Sequence, residues 1–438
     1  MNEEEKRPQN AENVTPSREP SVPSAAAQRP PFSALPRESW CALAAYVAAY
    51  FYILLWNDWK WLPASALALV GITEWLHWEK KRTWESFTWL GCFLCVCIGG
   101  MMAEQGAFVW YGKQIALFIH LFFVWWVLAR SGVLAEGKSG HLLPLDALNG
   151  FIVIPFGNFF LRIATLYFGI RSLIPEKEEA KKKPWGWIVT AGLACLCLFL
   201  GAAQLLMRAD AGFGALLERF ADLFRFEWDG EVLVRLIFSL PVGAWLFGLM
   251  SGSRRMTEER LARQRSGVYD TLGKLQKVPG GFWTAVTAAF SALYLVFFVV
   301  QGRYLFGAFT RTLPEGFIVS EYARQGFFEL CKVIAVNFAL LWLVTRMAAP
   351  ETAEKRSFRA CCVVLLAESM VFAVIALSKL GLYISCFGFT PLRLQSSWLA
   401  CVLLAGCGLW TYHLLTGRPA FRKWMVFGGV TLSVLCLI

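Results

Sequence analysis

Ser320-Glu-Tyr-Ala-Arg-Gln-Gly-Phe-Phe-Glu-Leu330 leads without interruption into an apolar run that ends near Thr345. A helix of that length crosses the hydrocarbon core of a bilayer, which is about 30 Å thick. Glu321, Arg324, Glu329 and Lys332 stand at its mouth, and ionisable side chains there are costly unless they pair with one another or line a watery cavity. The stretch therefore identifies a membrane-spanning chain and marks the first place to look for a site.

Composition agrees. Hydrophobic residues make up 57% of the 438, with a mean hydropathy of +0.50, against about 45–50% apolar in a soluble protein. Most of the thirteen cysteines, Cys92, Cys95, Cys97, Cys361 and Cys362 among them, lie inside apolar runs, where cysteine packs as a small hydrophobe rather than building a disulfide framework. The formal net charge of +11 reads as a topology signal and not as a nucleic-acid footprint, because its basic residues gather in alternate connections.

Runs long enough to span fall at about 39–56, 62–78, 86–102, 108–129, 185–207, 231–251, 281–302, 325–346, 358–378, 396–415 and 420–438. The expected fold is an all-α, polytopic integral membrane helical bundle of about eleven transmembrane helices. Of the 42 Lys and Arg residues, 30 lie in one alternating set of connections and 8 in the other, which by the positive-inside rule puts the N-terminus in the cytoplasm and the C-terminus outside.

Residues 1–38, rich in Pro, Glu, Ser, Asn and Arg, read as a disordered cytoplasmic tail. Residues 39–129 form a four-helix membrane segment, 130–184 a basic cytoplasmic connection, and 185–438 a seven-helix membrane segment. Within the connection, 151–170 is apolar enough to compete as a further span; a crossing there would move the basic loop at 252–280 outside, so it is expected to be re-entrant or interfacial, broken at Pro155. Residues 211–226 have the spacing of an amphipathic helix on the outer surface. The basic loop 254–277 is expected to lie against anionic headgroups. Tryptophans near span ends, such as Trp56, Trp78, Trp110 and Trp398, form an aromatic belt.

No phosphate-binding Gly loop, His-Glu-x-x-His or zinc spacing occurs, and the four histidines are scattered, so neither a metal nor a cofactor is expected. The charged groups of the second half, by contrast, fall on one side. Arg303 and Tyr304 leave the seventh span on the outer face, and Glu321 and Arg324 open the eighth. Tyr322, Gln325, Glu329 and Lys332 then lie within about 80° of one another at 100° per residue. Glu368 sits near the middle of the ninth span and Lys379 at its outer end, followed by Tyr383, Thr390 and Arg393. Glu321 with Arg324, and Glu329 with Lys332, read equally well as neutralising i, i+3 pairs that hold the bundle together. Glu368 has no basic neighbour within a helical turn, so it must find a partner on another helix, take up a proton or face water.

The pattern Tyr-Leu-Phe, Leu-Pro-Glu-Gly and Ser-Glu-Tyr-Ala-Arg-Gln-Gly-Phe-Phe-Glu-Leu over 304–330, followed by Glu368, Lys379, Tyr383 and Gly388-Phe-Thr-Pro-Leu-Arg393, resembles the bacterial integral membrane proteins of domain-of-unknown-function families 4153 and 4173. The resemblance is specific over about 281–415, and departs from the pattern at Cys386-Phe387, where an aromatic pair is usual. It implies a membrane fold and a set of motif residues, and no activity.

These readings combine into a multi-pass protein of the bacterial cytoplasmic (inner) membrane. It is expected to bind or transport a small polar or amphiphilic solute at an outward-facing pocket formed by Arg303, Tyr304, Glu321, Tyr322, Arg324, Glu329, Lys332, Glu368, Lys379, Tyr383 and Arg393. One alternative is a membrane-embedded enzyme acting on a lipid headgroup, with Glu321 or Glu329 as base and Arg303, Arg324 and Arg393 on a phosphate. Another is a non-catalytic sensor or assembly subunit. The partners expected are the lipid bilayer, a small-molecule or lipid ligand, and a cytoplasmic protein at the basic loops, with no nucleic acid.

Overall fold

The computed structural model describes residues 33–54, 62–102, 109–173, 195, 230–276, 279–310 and 318–437. Regular structure among them is helical: α1 (Pro36–Leu54), α2 (Leu62–Leu76), α3 (Trp84–Met102), α4 (Val109–Ser131), α5 (Leu143–Leu148), a π-helical turn (Asn149–Val153), α6 (Ile154–Gly157), α7 (Leu161–Leu173), α8 (Gly230–Arg255), α9 (Glu258–Leu275), α10 (Gly280–Thr310), α11 (Val319–Met347), α12 (Pro350–Glu354), α13 (Arg356–Phe387), α14 (Pro391–Thr416) and α15 (Phe421–Leu435).

Seven of these, α3, α4, α8, α10, α11, α13 and α14, are long and apolar enough to cross a membrane. Helices α1, α2 and α15 occupy three more of the predicted spans. The predicted span at 185–207, the surface helix at 211–226 and tail residues 1–32 lie outside the described residues.

Two boundaries differ from the sequence reading. The tail was expected to reach residue 38, yet α1 begins at Pro36 and Glu38 is buried, held by Arg254 Nη1 at 2.9 Å and Arg255 Nη2 at 2.7 Å. The basic stretch after α8 is not an open loop: Thr257 caps an 18-residue amphipathic helix, its side chain accepting from the Arg260 amide, which satisfies an otherwise orphaned helix N–H.

The segment 143–173 is helical on both sides of a 46° bend that falls between Gly157 and Leu161. Pro155 is not the break; helical backbone runs through it from the π-helical turn into α6. Asn149 Nδ2 donates to Gln264 of α9 at 3.2 Å, and Ser39 Oγ of α1 donates to the Thr165 carbonyl at 3.1 Å. Both limbs of the bend therefore touch the same end of the bundle, where α1 starts and α9 lies.

The helices gather into two packed groups. The first joins α1, α2, α3, α4 and α8 with the bent segment; the second joins α10, α11, α13 and α14. Small residues bring backbones together in the first: Cys41, Ala42, Ala45 and Ala49 of α1 are fully buried, and a Cβ at Gly243 of α8 would lie 3.3 Å from the Ala45 carbonyl. Such close approach is the main source of association where lipid is as apolar as the core. Pro241 interrupts the ladder of α8, and the hydroxyls of Ser239 and Tyr46 donate to the neighbouring Leu236 carbonyl. Helix α15 links the groups by packing on α14 and α3, with Arg422 Nη2 on Glu85 Oε2 at 2.7 Å.

The connections that carry the basic residues are bonded to one another. Arg37 meets Glu79, Arg254 reaches both Glu38 and Glu79, Lys80 donates to the Ser131 carbonyl, the Ser139 amide to Glu85, and Gln276 to the Arg346 carbonyl. Among the described residues these connections therefore meet at one end of the bundle, the basic end.

Candidate functional site

The second helix group places a buried cation at the end opposite the basic face. Lys379 of α13 is fully buried, and Nζ has no hydrogen-bond partner among the described residues. It sits instead over two aromatic faces, 3.9 Å from the centre of the Tyr304 ring and 4.1 Å from that of Tyr322. The two rings meet edge to face with centroids 5.1 Å apart, and the Tyr322 hydroxyl donates to the Tyr304 carbonyl. Gly326 of α11 makes room for the lysine: a Cβ there would lie 2.5 Å from Nζ. Glu329 is the acid whose charge acts on Lys379, from an exposed position where it accepts from Gln325 Nε2 at 2.9 Å.

Deeper along the same helix lies Glu368, also buried, with neither carboxylate oxygen hydrogen-bonded among the described residues. Ser291 of α10 is near it without closing a bond of ordinary length. Eleven residues separate Glu368 from Lys379, about 16 Å of rise and a turn remainder of about 20°, so the two share one face of α13. A polar ladder crosses the bundle beside Glu368. Tyr294 of α10 donates to Asn337 Oδ1 at 2.7 Å, Asn337 Nδ2 of α11 donates to Ser369 Oγ at 2.9 Å, and Ser369 donates to the Leu365 carbonyl.

Among the residues singled out from sequence, Tyr304, Tyr322 and Lys379 come together, and Glu368 lies below them. Glu321, Arg324, Glu329 and Lys332 are exposed, turned away from the buried face of α11 that carries Tyr322, Gly326 and Asn337. None of the four forms an ion pair among the described residues, so the expected i, i+3 pairs are not made. The reason is geometric: the lipid- or water-facing side of α11 leaves these flexible side chains free to solvate. Arg393 closes the turn between α13 and α14. Its guanidinium lies 4.1 Å from the Tyr383 ring centre, and Nη1 donates to the Phe387 carbonyl at 2.8 Å and to the Gly388 carbonyl. The side chain of Arg303 lies outside the described residues.

Sequence reasoning missed Tyr294, Asn337 and Ser369. Asn337 carried a readable signal, an amide in the middle of an apolar run; Tyr294 and Ser369 gain meaning only from their neighbours in space. Among the described residues no group of three His, Cys, Asp or Glu side chains could hold a metal.

The family described as Domain of unknown function (DUF4153) matches residues 90–438. The match bears out the resemblance read from 304–330 and 368–393, and carries it upstream into the first helix group. No curated protein and no solved structure matches the chain.

Proposed function

Because the chain belongs to the family described as Domain of unknown function (DUF4153), whose description assigns no reaction, we propose a role from the site itself: a carrier for a small polar or amphiphilic solute in the bacterial cytoplasmic membrane. Lys379 and Glu368 engage the solute or the ion that accompanies it. The observation that carries this reading is the burial of an acid and a base on one face of a spanning helix, neither paired among the described residues. Ionisable groups at such depth are expensive, and substrate pathways and proton relays are where membrane proteins keep them.

The test is charge displacement across proteoliposomes on a solid support, challenged with pools of anionic, zwitterionic and cationic solutes. At least one pool should give a sustained current with the wild-type protein. Glu368→Gln should keep the initial binding transient and lose the sustained current, and Lys379→Met should lose both. Silence of correctly folded wild-type protein toward every pool would sink the carrier reading.

A further inference from the structure

A cavity of about 480 Å³ opens at the basic end of the second helix group, bounded by the ends of α11 and α14 and the starts of α13 and α15. Its size is that of a small-ligand pocket, about 300–1,000 Å³. None of the eleven residues picked from sequence lines it. One wall is aromatic: Trp410 and Trp424 both pack on Phe338, with ring centroids 5.7 and 5.2 Å apart. Gly406 permits this wall, because a Cβ there would meet the Trp424 ring at 2.7 Å.

The polar side of the cavity is cationic. Arg346 in the last turn of α11 and Arg359 in the first turn of α13 both line it. Arg359 uses Nε on the Ala353 carbonyl at 2.9 Å, which leaves its outer N–H groups available. Glu136, an acid whose charge acts on Arg346, is engaged by His141 Nε2 at 2.7 Å. Burial, with Arg346 and His413 beside it, pulls His141 down to about 4, so a neutral ring donates to Glu136. Arg346 and Arg359 give the lining a fixed positive charge.

Two guanidinium groups beside an aromatic pit, with no carboxylate in the lining, have the chemistry that grips a phosphate and shelters an apolar body attached to it. We propose that this cavity is a phosphate-binding site, in which Arg346 and Arg359 hold the anion and Trp410 and Trp424 contact what it carries. It stands apart from the site at Lys379, and its case does not depend on the carrier reading.

The phosphate can belong to an anionic lipid or to a soluble ester, and the experiment separates the two. The full chain is purified in detergent, and bound phosphatidylglycerol, phosphatidylcholine and inorganic phosphate are each titrated by native mass spectrometry and thermal shift. If the source is lipid, phosphatidylglycerol binds and phosphatidylcholine binds at least about 10-fold more weakly; each of Arg346→Gln and Arg359→Gln then weakens phosphatidylglycerol by about 10-fold, the loss expected for a charge-assisted hydrogen bond. If the source is soluble, inorganic phosphate binds with the same arginine dependence and phosphatidylglycerol does not. The proposal is overturned if wild-type protein binds neither probe, if phosphatidylcholine matches phosphatidylglycerol, or if the arginine changes leave binding intact. Arg359 is exposed, so Arg359→Gln decides the matter alone should Arg346→Gln fail to fold.

Discussion

Taking an ammonium group out of water costs several kcal/mol, and a desolvated cation on aromatic faces recovers about 2 kcal/mol or somewhat more. Lys379, over Tyr304 and Tyr322, is therefore held at a net cost to the fold. Lys379→Met, similar in volume and without the charge, should leave the melting temperature unchanged or raise it; a clear fall would show that the lysine is there for stability. Gly326→Ala should lower the melting temperature by displacing Nζ, and the loss should shrink in a Lys379→Ala background, with a coupling of about 1 kcal/mol in the double-mutant cycle. His141 gives a pH signature outside the spans. Its pKa in the folded chain is near 4, against 6.5 for the free side chain, so between those values the unfolded chain binds a proton that the folded one refuses. Stability should fall as pH drops through that window, and His141→Asn should flatten this part of the curve in chemical denaturation.

At the scale of elements, the joint between α13 and α14 rests on Gly388, whose φ of +78° and ψ of 177° define a conformation essentially restricted to glycine. Gly388→Ala should cost about 1–3 kcal/mol and free Arg393 from the Tyr383 ring, measurable as a lower melting temperature; an unchanged value would mean the turn has another conformation at hand. This joint was half legible. The sequence placed Thr390 and Arg393 in the connection between two spans, but Arg393 looked like a ligand-binding group until the carbonyls of Phe387 and Gly388 came within its reach. Helix α11 shows the same limit. Periodicity grouped Tyr322, Gln325, Glu329 and Lys332 on one face, but only the last three are exposed together while Tyr322 turns into the bundle. The pattern could not say which face turns inward, because lipid and protein interior are equally apolar and the usual contrast between them vanishes. Glu368 was legible for a different reason: a charged group inside an apolar run signals itself wherever the face points. The cavity at the basic end was invisible in the sequence because its lining comes from five separated segments, none of which carries the pattern alone.

Across the whole molecule, the 30 to 8 division of Lys and Arg between alternate connections predicts the side that each end of the chain reaches. A reporter placed after Lys277 should read as cytoplasmic and one at the C-terminus as external; the same side for both would mean an even number of crossings between them, α15 (Phe421–Leu435) not crossing, and would overturn the external C-terminus. Burial also spaces Glu368 and Lys379 about 16 Å apart along α13, roughly half the thickness of the hydrocarbon core. A membrane potential falls across that distance as well. A full charge crossing the entire core gains about 2.3 kcal/mol per 100 mV, so one passed between these two residues would gain roughly half of that, enough to tilt its distribution several-fold. Voltage, and not only concentration, would then set which end of the helix the charge occupies.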